Sequence, residues 1–224
     1  QRLADGAAFR PDFGFWELSQ GLTTIVNGNC GLSAAPFGAA NAAAIRAYLQ
    51  PITGTLPPEL VTDSLAGYFR SLPPLPLNVG MLVGAGVLRA DAAGYQLTQL
   101  EDGHFRTIHR AMEQALADGA LGVSLGLGYA PECFYTTDDL IRALAPLAGT
   151  QTPVTVHMRQ EGGGVVDSVE ELLTVARALG CPVHISHLKA MGRDNWGRKI
   201  PQVLALLEQA QQEGLAVDCD VYPY

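Results

Sequence analysis

Apolar residues fall along this chain in two alternating rhythms. Short apolar or β-branched runs recur at residues 22–27 (LTTIVN), 79–83 (VGMLV), 121–125 (LGVSL), 154–157 (VTVH), 183–187 (VHISH) and 215–221 (LAVDCDV). Such runs predict buried strands of a parallel sheet covered on both faces. Between them apolar residues stand three and four apart, most clearly over 101–117, 138–148, 165–179 and 200–213, which predicts helices. Gly119, Gly180 and Gly214 each follow a helical run, where a left-handed cap is wanted. The last four strands recur at roughly 30-residue intervals, the size of a βα unit. The proline-rich region 51–76 predicts a long loop broken by a short helix at 58–70. No sequence repeat or low-complexity linker interrupts the chain.

Six parallel strands with intervening helices define an α/β fold and allow two architectures, a doubly wound open sheet or a (β/α)8 barrel. No G-x-G-x-x-G follows the first strand, which weakens the dinucleotide-binding reading. Polar residues sit at the carboxyl ends of several different strands, where barrel enzymes keep their chemistry. The barrel is the expected architecture, with residues 1–224 as one domain.

Composition supports a folded domain. The 224 residues are 48% hydrophobic and 16% charged, enough apolar surface for a large core. With 14 basic and 22 acidic residues the net charge is −8, which argues against nucleic acid or an anionic membrane as the main partner. No apolar run approaches the roughly 20 residues of a membrane-spanning helix, and the pattern of the first residues leads to the expectation of no signal peptide. Four widely spaced cysteines in a chain this long read as thiols in a reducing, cytoplasmic setting.

Three residues stand out chemically. Cys30 ends GLTTIVNGNCG, His157 ends VTVH, and His187 ends HISH. Each lies at the carboxyl end of a predicted strand or just beyond it, and a thiolate with two imidazoles suits Zn²⁺. Taken singly, a cysteine after a strand is ordinarily a buried small hydrophobe, and a histidine at a strand end an ordinary hydrogen-bonded residue. Their joint placement is what favours a metal site. His184 stands three residues before His187, so strand alternation puts the two on opposite faces, with His187 sharing its face with Ile185 and Lys189 if the extended geometry persists. His184 is therefore expected to face the helices. His104 and His109 fall in a helical run at the surface. Cys133 falls in a loop, Cys181 at the wrong end of a strand, and Cys219 on the face away from Asp218 and Asp220.

These motifs resemble the D-aminoacylase (N-acyl-D-amino-acid deacylase) branch of the amidohydrolase superfamily. GLTTIVNGNCGLSAAP is similar to that family's cysteine segment, and GALGVSLGLGYAP to its second signature. VHMRQEG, ISHLKAMGRDNWG and DVYPY follow in the same order at similar spacing, so the resemblance covers essentially the whole chain. It implies a metal-dependent hydrolase barrel holding one or two Zn²⁺, with Cys30, His157 and His187 as metal ligands. A metal-activated water would cleave the amide of a small N-acyl-D-amino acid. The resemblance makes Lys189 and Tyr129 contacts for the substrate carboxylate; a lysine at a barrel mouth is also a sensible anion anchor. Without the resemblance, Lys189 reads as a solvated charge and Tyr129 as a packed loop aromatic.

The chain also departs from the family pattern. Where the family has H-x-H-x-D on its first barrel strand, this chain has Gln1, Leu3 and Asp5. The family's catalytic aspartate lies on an eighth strand, and its small β-sandwich comes from both ends of a longer chain. Tyr224 falls in the segment resembling the seventh strand. The expectation is thus an incomplete barrel covering strands two to seven, with at most one zinc and an unassigned catalytic base. Asp220, at the end of the seventh predicted strand, is a possible stand-in base, but its expected role is structural or in support of a metal ligand. Two other readings compete: a non-catalytic fragment or pseudoenzyme of the same fold, and a Schiff-base enzyme using Lys189.

Overall fold

A computed structural model describes residues 4–222. The expectations placed on Gln1, Leu3, the Asp5 side chain and Tyr224 lie outside what is described. In chain order the elements are α1 (Ala4–Ala7), α2 (Phe15–Ser19), β1 (Thr24–Asn27), α3 (Ala42–Thr53), α4 (Leu65–Ser71), β2 (Asn78–Met81) and β3 (Val83–Gly84). They continue with α5 (Ala85–Ala93), α6 (Asp102–Ala117), β4 (Val123–Gly126), α7 (Thr137–Ala143), β5 (Val154–His157), α8 (Val165–Leu179), β6 (Val183–Ile185), α9 (Lys199–Gln212) and β7 (Val217–Cys219).

All strand pairings are parallel. β1 pairs with β2, and β3 to β7 form a second sheet in strict sequence order. The two sheets are one surface interrupted at Leu82. Its N–H donates to Asn27 O, and Leu121 and Val83 carry the bonding on towards β4, each at 2.9–3.0 Å. Strand order never reverses, which is the order of a barrel and not of a doubly wound sheet. Among the described residues the surface stays open between β1 and β7.

The alternation of strand residues divides this surface into two chemistries. Val123, Leu125, Val154, Val156, Val183, Ile185 and Val217 join the main hydrophobic core. Helices cover them, with Phe105, Ile108 and Met112 from α6, Leu172 and Leu173 from α8, and Val203 and Leu207 from α9. The other face is polar. Ser124, Thr155, His184 and Asp218 stand side by side in register across four strands. No helix among the described residues is long and apolar enough to cross a membrane.

Several boundaries differ from the sequence expectation. The helix expected over 58–70 begins only at Leu65, because the Ser64 side chain caps it by accepting from Gly67 N at 3.2 Å. The helix expected over 138–148 stops at Ala143 and tightens into a 3-10 turn at Ala145–Leu147, since Pro146 has no N–H to continue the α ladder. Helices α3 and α5 were outside the expectation. The former even contains Pro51, in its last turn.

The outward strand residues carry most of the packing. Leu125→Ala in β4, at 1% exposure, is expected to cost about 2–5 kcal/mol, read as a lowered urea midpoint with unchanged slope. A loss under about 1 kcal/mol would show that the helices are not seated on β4 as described.

Candidate metal and substrate site

Cys30, His157 and His187 come together where three strands end. Their donor atoms all lie within 4.8 Å of one another. Cys30 Sγ is 3.5 Å from His187 Nε2, and His157 Nδ1 is 3.0 Å from the same nitrogen. A tetrahedral zinc with bonds of about 2.3 Å to sulfur and about 2.0–2.1 Å to nitrogen spaces an S–N pair about 3.5 Å apart and an N–N pair about 3.3 Å apart. The residues present therefore fit such an ion in both donor type and spacing.

Local backbone explains how two of these side chains reach the cluster. Cys30 and His187 both hold left-handed φ, 57° and 43°, which non-glycine residues rarely adopt. β6 ends at Ile185, so extended geometry does not persist to His187. The condition under which Ile185 and His187 would share a face is thus not met. Ile185 packs into the helix-covered core, while the left-handed turn sends His187 to the mouth. The expectation for His184 is corrected with it. His184 leaves the core face and meets Asp218 Oδ1 at 2.6 Å and Asp220 Oδ2 at 3.0 Å.

Side-chain clamps hold both turns. Ser124 Oγ donates to Gly28 O at 2.5 Å and accepts from Gly31 N at 2.9 Å, gripping the Cys30 loop from β4. Asn29 receives Thr155 Oγ1 at 2.6 Å and donates to Ser186 Oγ at 3.1 Å, tying that loop to β5 and to the His187 turn. The Tyr129 hydroxyl donates to Cys30 O at 2.5 Å. A Cβ on Gly126 would sit on that carbonyl and on the Tyr129 ring, so this close approach needs glycine. Across the turn, His187 N donates to Asp220 Oδ1. Both Asp220 oxygens are engaged, in keeping with a structural role.

The proposed substrate residues flank the cluster. The Tyr129 ring centroid is 5.1 Å from that of His157. Lys189 Nζ donates to Glu161 Oε1 at 2.5 Å and to His187 O at 2.8 Å. This ion-paired, polar setting is unlike the apolar pocket that a Schiff-base lysine needs. Glu161 was missed by the reading of the sequence, although it stands inside the quoted motif VHMRQEG. The same motif supplies Arg159, which pairs with Glu171 at 3.0 Å and donates to the Cys133 and Tyr135 carbonyls, bracing the Tyr129 loop.

Burial shapes the charges here. Desolvation, with help from His187 and Lys189, holds the His157 imidazole below its ordinary value. Desolvation also pushes the Tyr129 phenol up. Behind the cysteine loop, fully buried Glu132 accepts from Gly126 N at 2.9 Å, and its lack of solvent raises its carboxyl to about 8. Of the remaining histidines, His104 accepts from Glu101 N as part of the cap of α6, and His109 meets Arg142 O. Cys133, Cys181 and Cys219 are thiols away from the cluster, and Cys219 packs on the core side as expected.

A parallel strand surface in barrel order, with one cysteine and two histidines at its mouth, has an amidohydrolase fold: the crystal structure of a D-aminoacylase that defines a subset of amidohydrolases superposes with a TM-score of 0.86 at 32% identity, over 100% of this chain and 46% of that one. Within that class the chain belongs to the D-aminoacylase family, in sequence and in fold. It is 36% identical over 208 residues to a D-aminoacylase of Alcaligenes xylosoxydans xylosoxydans, covering 93% of this chain and 42% of that protein. It is 38% identical over 214 residues to an N-acyl-D-glutamate deacylase of the same organism, at 93% and 42% coverage. The crystal structure of N-acyl-D-glutamate deacylase from Bordetella bronchiseptica, complexed with zinc and a phosphonate inhibitor, superposes with a TM-score of 0.84 at 34% identity. That match covers 99% of this chain and 46% of the other. The chain thus spans less than half the length of these relatives. No protein-family model matches it.

The buried carboxyl makes stability depend on pH. Its folded value near 8 lies above the ordinary 4.5, so between those values the folded state binds the extra proton. Stability is expected to fall as pH rises through that window, by at most about 1.4 kcal/mol per unit, and to level off above it. Glu132→Gln should flatten the fall in urea titrations from pH 5 to 8. An unchanged slope in that variant would assign the dependence to another group.

Proposed function

We propose that this chain is the metal-holding section of a zinc-dependent hydrolase barrel that removes the acyl group from N-acyl-D-amino acids. The observation that carries the proposal is the convergence of Cys30, His157 and His187 from three strand ends within 4.8 Å. The names of the relatives, D-aminoacylase and N-acyl-D-glutamate deacylase, support the substrate class. In this reading the three residues hold one Zn²⁺, which lowers the pKa of a water molecule and polarises the amide carbonyl.

The remaining residues bind and orient. Lys189 meets the substrate carboxylate as a cation at the mouth, and the Tyr129 ring walls the site beside His157. The buried setting of His157 keeps it neutral near pH 7, as a metal-ligating imidazole must be. Residues 1–224 act as one partial barrel domain, and a reducing, cytoplasmic setting keeps Cys30 available as a thiolate ligand.

The test is metal content. The 224-residue chain, incubated with zinc and desalted, is expected to retain one equivalent by atomic emission. Cys30→Ser and His187→Ala should each retain less than about a tenth of that, since removing one of three ligands opens the site. Retention is also expected to fall as the pH is lowered, because protons compete with the metal for its ligands. Full zinc retention by Cys30→Ser would remove the basis of the proposal.

A further inference from the structure

We infer that the buried side chain of Glu132 is a positioning residue for the Cys30 ligand, acting through the backbone of Gly126 and Gly31; the inference rests on the metal reading above. Glu132 opens the 3-10 turn Glu132–Phe134 just after the Tyr129 loop, and it is 1% exposed. Burying a carboxyl group is costly unless polar partners receive it. The partner here belongs to the wall of the metal site.

The strand order explains why an acceptor is needed at this place. Along β4 and just past it, Val123 N and Leu127 N donate towards β5, to Pro153 O and His157 O. Alternation then turns Gly126 N to the opposite side, towards β3. β3 ends at Gly84, the register partner of Ser124, and the chain leaves as α5. At the level of Gly126 that strand therefore offers no carbonyl, and Glu132 Oε2 accepts from Gly126 N instead, at 2.9 Å.

The same oxygen lies against the Cys30 loop. A Cβ added to Gly31 would strike Glu132 Oε2, and one added to Gly86 would strike both that oxygen and Gly31 O. Val87 N, in the first turn of α5, donates to Gly31 O at 3.3 Å. The Cys30–Gly31 peptide is thus enclosed, with Glu132 and α5 on one side and the Ser124 and Tyr129 hydroxyls bonded to its other polar atoms. The left-handed φ of 57° at Cys30 is costly and persists only while such contacts enclose it. Glu132 bonds none of the three metal donors, so its effect on an ion passes through Gly31 and Gly126 to Cys30.

The experiment measures zinc affinity of the 224-residue chain by competition with a chromophoric chelator, with cobalt(II) spectra and melting temperatures alongside. Glu132→Met fills the same space without an acceptor, and Glu132→Ala empties the space as well. Each is expected to weaken zinc about tenfold, the lower end of what lost supporting contacts around a metal cost. Each should also dim the thiolate-to-cobalt charge-transfer band, because Cys30 no longer meets the ion in the same geometry. Glu132→Gln keeps an acceptor oxygen for Gly126 N and should recover most of the affinity. Leu172→Ala in α8 is the control: it lowers the melting temperature by loosening the core and should leave the zinc affinity and the cobalt band unchanged.

Natural zinc affinity and an unaltered cobalt band in a folded Glu132→Met would overturn the inference and leave the metal site standing. An equal loss in Leu172→Ala would overturn it too, by tracing the effect to loosened packing. A natural chain that binds no zinc would overturn both readings. If the alanine variant does not fold, the methionine and glutamine variants decide.

Discussion

The left-handed backbone at Cys30 and His187 is the constraint on which this arrangement depends. A strand alternates its side chains, so Ile185 and His187 in one extended run would face the same way. Ile185 is needed in the core beneath the helices. The turn at φ 43° separates the two demands, and φ 57° at Cys30 places a second donor in the same space. Such conformations cost on the order of 1–3 kcal/mol each in non-glycine residues, and they persist only where the surroundings fix them.

Those surroundings account for many of the polar residues in this part of the molecule. Ser124, Asn29, Thr155 and Ser186 stitch the Cys30 loop to β4, β5 and the His187 turn. Asp220 holds His187 N from β7's end while also bonding His184. Tyr129 secures the Cys30 carbonyl, and Arg159 secures the segment that follows Tyr129. Each clamp is a side-chain bond between different elements, so the site is a product of the assembled sheet and not of any single loop. The apolar face supplies the rigidity: Val154, Val156, Val183 and Ile185 belong to one buried cluster with residues of α8 and α9, which fixes the strand ends to which the turns attach.

Much of the architecture was legible in the sequence. Five of the six predicted runs contain a strand close to the expected place, and the sixth is split at Leu82. The apolar runs forced this result, because a strand buried under helices must be apolar at every outward position. The candidate cluster was legible for a different reason: cysteine and histidine at several strand ends are uncommon unless the ends converge. Helix ends were less legible. Ser64 and Pro146 overrode the periodic pattern through one cap and one missing donor, effects local enough to see only once the register is known.

The sequence by itself determined the parallel α/β order, the apolar core face and the identity of Cys30, His157 and His187 as potential donors. These follow from periodicity and side-chain chemistry, which need no distant partner. Tertiary structure alone decided which way His184 and His187 point, because a single left-handed residue cancels strand alternation and leaves no mark in composition. It alone revealed Glu161 beside His187, as that contact joins residues 26 apart in sequence through folding of the β5 and β6 ends. The polar clamps were hidden for the same reason: a serine on β4 or an asparagine after β1 is ordinary until the sheet brings its partner within 3 Å or so.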